Sequence, residues 1–278
     1  VANLLLINFG TFAETHRFKA LSAAGNFAEA DALDSTKPGP GALVQENGVQ
    51  QRPFVGGARV YSFYGLSKTV WQSRINGKTF KEEFKKWVEN ALANPIHCVY
   101  MTGHHWAGGS VYTTLSWEEE TKYFHARFDT DKGKLAFGVE GDRVDIETAN
   151  LRAECKIVFG FGCNVCTGGN STKYQNFFSP SKPVTCGWTE SIGVPKTEAK
   201  SVNKRFFEYL DKYIAKEANA GKTDRVVWIY DNDSMQLVKA WGWATKYWFQ
   251  EQARARDKDG KFYKFKVNSK GWPEPVKA

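Results

Sequence analysis

The chain has 278 residues, of which 42% are hydrophobic and 15% aromatic; that is enough for a packed core and excludes a disordered polymer. Its net charge of +8 is scattered, with a mild basic cluster only from Arg254 to Lys266, and no nucleic-acid-binding motif accompanies it. No apolar run approaches the ~20 residues of a membrane-spanning helix.

Val1 to Phe9 is apolar but lacks the basic start and cleavage site of a signal peptide. The five cysteines are an odd number, and Cys98 and Cys155 lie in or beside apolar segments. Both features suit free thiols in a reducing compartment and favour a cytoplasmic location. Asn170-Ser171-Thr172 matches a glycosylation acceptor, which has meaning only in a secreted protein.

Asn3 to Phe9 reads as a strand. Residues 10–58 are rich in Ala, Gly, Pro and Gln, with Pro38-Gly39-Pro40-Gly41 as a loop signal and a short helix expected within Phe18 to Leu33. Residues 1–58 are therefore expected to form a partly irregular N-terminal arm, and residues 59–278 a single α/β domain.

Arg59 to Tyr64 alternates as a strand. Thr79 to Leu92 is an amphipathic helix with Phe80, Phe84, Trp87, Val88 and Leu92 on one face, and Ile96 to Met101 is the next strand. This β-α-β order implies a parallel pair. Residues 115–150 carry charges and short alternating pieces such as Lys134 to Val139, with a hairpin turn at Asp131-Lys132-Gly133-Lys134. Ile146 to Leu151 leads into a buried strand, Lys156 to Phe161, and Pro183 to Trp188 is a further strand. Thr197 to Lys216 is helical, with Val202, Phe206, Phe207, Leu210 and Ile214 on one face. Arg225 to Tyr230 reads as a buried strand ending at Asp231-Asn232-Asp233. Residues 235–255 read as a helix, and Lys261 to Val267 has strand character. The alternation of strands and helices points to an α/β sandwich with a mainly parallel central sheet.

Two segments carry chemistry. The strand Lys156 to Phe161 is followed by Gly162, Cys163 and a Gly-rich turn. The strand Ile96 to Met101 is followed by Thr102-Gly103-His104-His105. If these strands are parallel neighbours, a histidine and a cysteine emerge at one sheet edge, where open α/β sheets place their ligands. A thiol attacks as thiolate, and a nearby histidine takes or holds its proton. Small residues beside both let a peptide approach and expose N–H groups to an oxyanion. Cys163 and His104 are the expected catalytic pair.

These residues resemble the two motifs of caspase-like cysteine peptidases, the clan of legumains, gingipains, metacaspases and CHAT peptidases. Val99-Tyr100-Met101-Thr102-Gly103-His104 is similar to its histidine motif, and Ile157-Val158-Phe159-Gly160-Phe161-Gly162-Cys163 to its cysteine motif. Cys186-Gly187-Trp188-Thr189 is similar to the strand that lines the cleft. The resemblance spans roughly residues 59–235 and implies a caspase-like three-layer α/β sandwich and a thiol endopeptidase acting on proteins or peptides without a cofactor. It implies an oxyanion site at the backbone N–H groups of His105 and Cys163, and a pocket for the residue before the scissile bond (P1) at Phe161, Thr185, Gly187 and Trp188. Glu190, Asp231 and Asp233 are the acids that a basic P1 side chain would need. Acids that follow strands into turns are usually solvated, so an uncharged P1 is expected. The chain departs from the clan in having His105 where glycine is usual and Phe161 where a polar residue is usual. It also separates the two motifs by 59 positions, which implies an insertion.

Other readings of the same residues stay open. Cys163-x-x-Cys166 matches a redox pair, although Thr167-Gly168-Gly169-Asn170 is a poor helix start. Those cysteines with His104 and His105 could hold zinc, but no metal is expected. The chain could also be an inactive caspase-like scaffold, docking a protein partner through the N-terminal arm or through Trp241, Trp243, Trp248 and Trp272.

Overall fold

A computed structural model describes residues 2–8, 44–51, 54–64, 82–93 in part, 95–102, 104–108, 112–116, 124–139, 141–161, 163–190, 202–213 in part and 225–278. In chain order the strands begin with β1 (Ala2–Asn8), β2 (Val44–Gln51), β3 (Phe54–Tyr64) and β4 (Cys98–Thr102). Next come β5 (His104–Gly108), β6 (Tyr112–Ser116), β7 (Phe124–Asp129), β8 (Lys134–Val139) and β9 (Asp142–Glu147). Helix α1 (Ala149–Glu154), β10 (Ile157–Phe161), α2 (Gly168–Phe177) and β11 (Val184–Trp188) follow. The chain closes with α3 (Arg225–Asp233), α4 (Met235–Thr245), β12 (Ala253–Arg256), β13 (Phe262–Val267) and β14 (Pro273–Lys277).

The larger sheet has nine strands in the order β14-β13-β12-β11-β10-β4-β1-β3-β2. Its five middle strands, from β11 to β3, are parallel, and antiparallel strands flank them on both sides. A parallel sheet is covered on both faces, so its strands read as near-continuous apolar runs, as Leu4 to Ile7 and Ile157 to Phe159 do. At one edge, β14 carries Pro273 and Pro275, which lack an N–H and so discourage further pairing.

Alternation along the strands divides the core in two. Ile157 and Phe159 of β10 and Val184, Cys186 and Trp188 of β11 face a cluster with Val202, Phe206 and Leu210, with Val226, Ile229 and Tyr230 of α3, and with Leu237, Val238 and Trp241 of α4. Phe159 meets Phe206 edge to face at 4.8 Å. On the other face Val165 and Cys166 press on Gly160 and Gly187, and α2 follows directly in the chain. The second sheet, β5 to β9 in antiparallel order, closes over α2: Phe128 of β7 lies edge to face against Tyr174 at 5.3 Å and Phe177 at 5.1 Å. These strands and α1 fill most of the 59-residue separation between the two motifs.

Several expectations need correcting. Arg225 to Tyr230 is helical, not a strand. A short apolar run fits either state, and here Val226, Ile229 and Tyr230 recur at helical spacing and are buried together. The described parts of the expected N-terminal arm belong to the large sheet: β1 sits between β3 and β4 in its middle, and β2 pairs with β3. The irregular stretch and helix expected over residues 10–43 lie outside the described residues. For the same reason β3 and β4 are parallel but not adjacent. The segment after Ile146 turns into α1 before β10. Trp241 is buried in the core, and Trp248, partly buried, packs against it; both rings lie on Trp188. Among the described residues no helix is long and apolar enough to cross a membrane.

Candidate active site

β4 and β10 are adjacent and parallel, in a register that sets Cys98 beside Ile157 and Thr102 beside Phe161. His104 follows Thr102 by two positions, and Cys163 follows Phe161 by two. The two motifs therefore leave one sheet edge at the same level. Asn8, the last residue of β1, pairs with Thr102 on its other side. The chain steps outward from β1 to β3, then returns across β1 to β4, so the strand order reverses between β1 and β4. Ligands in open α/β sheets bind outside the carboxyl ends of strands at such a reversal.

Cys163 opens a tightly held turn. Val165 lies so close over the sheet that a Cβ at Gly160 would come within 2.0 Å of its Cγ1; only glycine allows that approach. Asn164 adopts a left-handed φ of 57°, which asparagine tolerates better than most residues. Its N–H donates to Glu190 O at 3.3 Å, and its carbonyl accepts from Asn170 Nδ2 at 2.7 Å. Cys166 N–H donates to Trp188 O at 3.0 Å. Thr167 then caps α2, its hydroxyl accepting from the Asn170 N–H at 3.2 Å. The expected poor helix start is thus a capped one.

Cys163 is half-buried, while the other four cysteines are buried. Burial raises the thiols of Cys155 and Cys186 far above the usual range and that of Cys166 to about 12. A buried thiol kept protonated is a poor nucleophile, so burial favours Cys163 as the reactive cysteine.

His104 begins β5, opposite Ser116 of β6; its side chain lies outside the described residues. His105 is buried, with its ring centroid 5.6 Å from that of Tyr174. Burial lowers it to about 3, opposed by a hydrogen bond between its ring and the Cys163 backbone.

The expected pocket residues divide. The Phe161 side chain lies outside the described residues. Thr185 and Gly187 are buried, Gly187 beneath Val165 and Cys166. Trp188 is fully buried in the aromatic core, 4.9 Å from Trp241 and 5.1 Å from Trp248, so it does not line an open cleft. Glu190 is exposed beside the turn.

Asp231 and Asp233 stand on the helix α3, not after a strand. Tyr230 of α3 donates to the carbonyls of Ser181 and Lys182, just before β11, and lies under Lys156 Nζ, just before β10. Asp231 acts electrostatically on His97, just before β4. That end of α3 thus lies at the amino edge of the sheet, opposite Cys163. Asp233 accepts from Gln236 Nε2 at 2.8 Å.

Two residues near the turn escaped the sequence reading. Arg254 and Arg256 of β12 pair with Gly187 and Thr185 of β11, and both act electrostatically on Cys166. Arg256 Nε donates to Ser171 Oγ at 3.0 Å. They sit 67 or more positions beyond Gly187 in the chain, so only the antiparallel pairing brings them here. Their alternation with buried Ala253 and Ala255 was the available signal. Among the described residues no group of three His, Cys, Asp or Glu converges as a metal site would.

Comparison with models of known protein families, with curated proteins and with solved structures finds no match. The chain is a mixed α/β protein with a central sheet whose five middle strands are parallel and a cysteine turn at their carboxyl edge.

Proposed function

We propose that the chain is a cysteine endopeptidase of the caspase-like type. The observation that carries this reading is the parallel register of β4 and β10, with Thr102 beside Phe161, which brings the His104 and Cys163 segments to one edge. Cys163 attacks the scissile carbonyl, and His104 takes its proton and returns it to the leaving amine. Backbone N–H groups of His105 and Cys163 hold the oxyanion. The burial of His105, which lowers its basicity, supports His104, rather than His105, as the base. The P1 residue is uncharged in this reading: Asp231 and Asp233 lie at the opposite edge, and the side chain of Glu190, although beside the turn, is solvated rather than turned inward. The test is a peptide library offered to wild type and to Cys163→Ala. The reading expects cleavage by the first and none by the second; cleavage by Cys163→Ala at the wild-type rate overturns it.

A second reading is an inactive scaffold of the same fold. Trp272 and Tyr247 are exposed, and Trp272 stacks on Trp243 at 4.6 Å, which offers a docking face. A thiol-reactive peptide that labels Cys163 no faster than Cys98 or Cys155 favours this reading.

A further inference from the structure

We propose that Trp272, Trp243, Lys246 and Tyr247 form a docking platform for an extended, carboxylate-bearing peptide segment of another protein. The proposal says what the exposed rings take, and it holds whether or not Cys163 turns over.

The four side chains make one stack. The Trp272 ring lies on the Trp243 ring at 4.6 Å and 23°. Lys246 Nζ stands over Trp243 at 5.4 Å and over Tyr247 at 4.9 Å, and Arg205 covers Tyr247 at 5.4 Å. Trp272 is 50% exposed and Tyr247 72%. The turn that carries Trp272 is tied down: Asn268 Oδ1 accepts from the N–H groups of Lys270 and Trp272, and the Asn268 N–H donates to the Trp272 carbonyl. A Cβ at Gly242 would come within 2.4 Å of Phe265 Cδ1, so α4 sits directly on β13. A platform already in place needs little ordering on binding.

Charge selects the occupant. Residues 239–278 hold ten lysines and arginines against four acids. Among the described residues, Lys246 and Lys270 pair with no carboxylate. Phe265 faces α4, so its neighbours Lys264 and Lys266 point to the other face of the sheet. The platform therefore lacks the row of cations that tracks a nucleic-acid backbone. Its rings lie flat on one another or beneath cations and do not project as a membrane wedge does. A peptide fits both features: carboxylates meet Lys246 and Lys270, and a proline or ring stacks on Trp272. Trp, Tyr and Arg are the residues that dominate binding at protein interfaces.

The platform shares an edge with the Cys163 turn. Trp248 packs on Trp188 at 5.1 Å, and the Trp188 carbonyl accepts from Cys166 N–H, so the end of α4 lies at the carboxyl edge of β11. β12 is antiparallel to β11 and β13 to β12, so the turn after Val267 leaves that same edge. β13 stands three strands from β10, about 14 Å, which about four extended residues span. Glu190 and Glu251 are exposed at this edge and disfavour acids near them, so the carboxylates belong over the platform.

The test is fluorescence anisotropy of a labelled peptide of alternating Glu and Pro with the full chain, beside its Gln–Pro counterpart, a single-stranded oligothymidylate and vesicles of phosphatidylcholine with phosphatidylserine. The Glu–Pro peptide should bind saturably, and about 10-fold or more tighter than the Gln–Pro peptide. Trp272→Ala should weaken it by about 10-fold or more. Thermal unfolding checks that the variant folds; if it does not, Lys246→Gln with Lys270→Gln should give the same loss. Equal binding of the two peptides, no saturable binding, or wild-type affinity in the folded variant overturns the proposal. Tighter binding of the oligothymidylate or the vesicles overturns the choice of a peptide. Binding needs no turnover, so cleavage by Cys163→Ala would remove the peptidase reading and leave this one standing.

Discussion

Thr102 of β4 and Phe161 of β10 lie side by side in a parallel pair, and each is followed two positions later by a residue able to do acid–base or nucleophilic chemistry, His104 and Cys163. The pairing places the two segments at one level of the sheet. Parallel strands share a direction, so their carboxyl ends, and the segments leaving them, gather on one edge.

The approach of Val165 to Gly160 gives a first prediction. A methyl at position 160 would overlap the Val165 side chain, whose nearest atom would lie 2.0 Å from the new Cβ. Gly160→Ala should cost about 1–3 kcal/mol through overpacking and displace the Cys163 turn, lowering cleavage. Val165→Ala in the same chain should restore much of both. A double-mutant cycle in chemical unfolding checks this; strictly additive losses would mean that the two residues do not clash.

Stability should fall in mild acid. His105 drops from 6.5 unfolded to about 3 folded, because burial penalises the charged ring. Between those values the unfolded chain binds a proton that the native chain does not. Stability therefore declines as pH falls from 6.5 towards 3, with a slope approaching about 1.4 kcal/mol per pH unit from this group. Burial lowers His97 as well, which adds in the same direction. Urea unfolding from pH 7 to pH 4 should show a shallower slope for His105→Phe than for wild type; equal slopes would contradict the burial of a neutral ring.

Asp231 and Asp233 should not read the substrate. They stand on α3, and the contacts of Tyr230 tie that end of the helix to the amino edge of the sheet. Asp231→Asn and Asp233→Asn should leave the ranking of library peptides unchanged. A lost preference for Lys or Arg at P1 in either variant would contradict this.

Trp188 should govern stability rather than specificity. It is fully buried between Trp241 and Trp248. Trp188→Ala should cost about 3–5 kcal/mol, whereas Trp188→Phe should keep the wild-type ranking of peptides. A changed ranking in Trp188→Phe would return this residue to the substrate cleft.

Much of the sheet was legible because parallel strands buried on both faces read as apolar runs. Asn3 to Phe9, Ile96 to Met101, Lys156 to Phe161 and Pro183 to Trp188 all correspond to strands of the large sheet. Arg225 to Tyr230 misled because a short run rich in β-branched and aromatic residues has no decisive period; the helix is revealed by what it packs against. The site was legible as two strand ends, and the pairing of β4 with β10 supplies the adjacency on which that reading was conditional. The support around Cys163 was not legible. The burial of His105 against Tyr174, the cover of Trp188 by α4 and the approach of Arg254 all depend on contacts between residues remote in the chain.

In the function proposed above, Cys163 is an activated nucleophile with His104 as its base. The most direct measurement is the rate at which a thiol-reactive peptide labels each cysteine, read by mass spectrometry in wild type and in His104→Ala. Cys163 should label well ahead of Cys98, Cys155, Cys166 and Cys186, and its rate should fall about 100-fold or more in His104→Ala, the usual contribution of a positioned acid–base group. Labelling of Cys163 at the same rate in both proteins would contradict it.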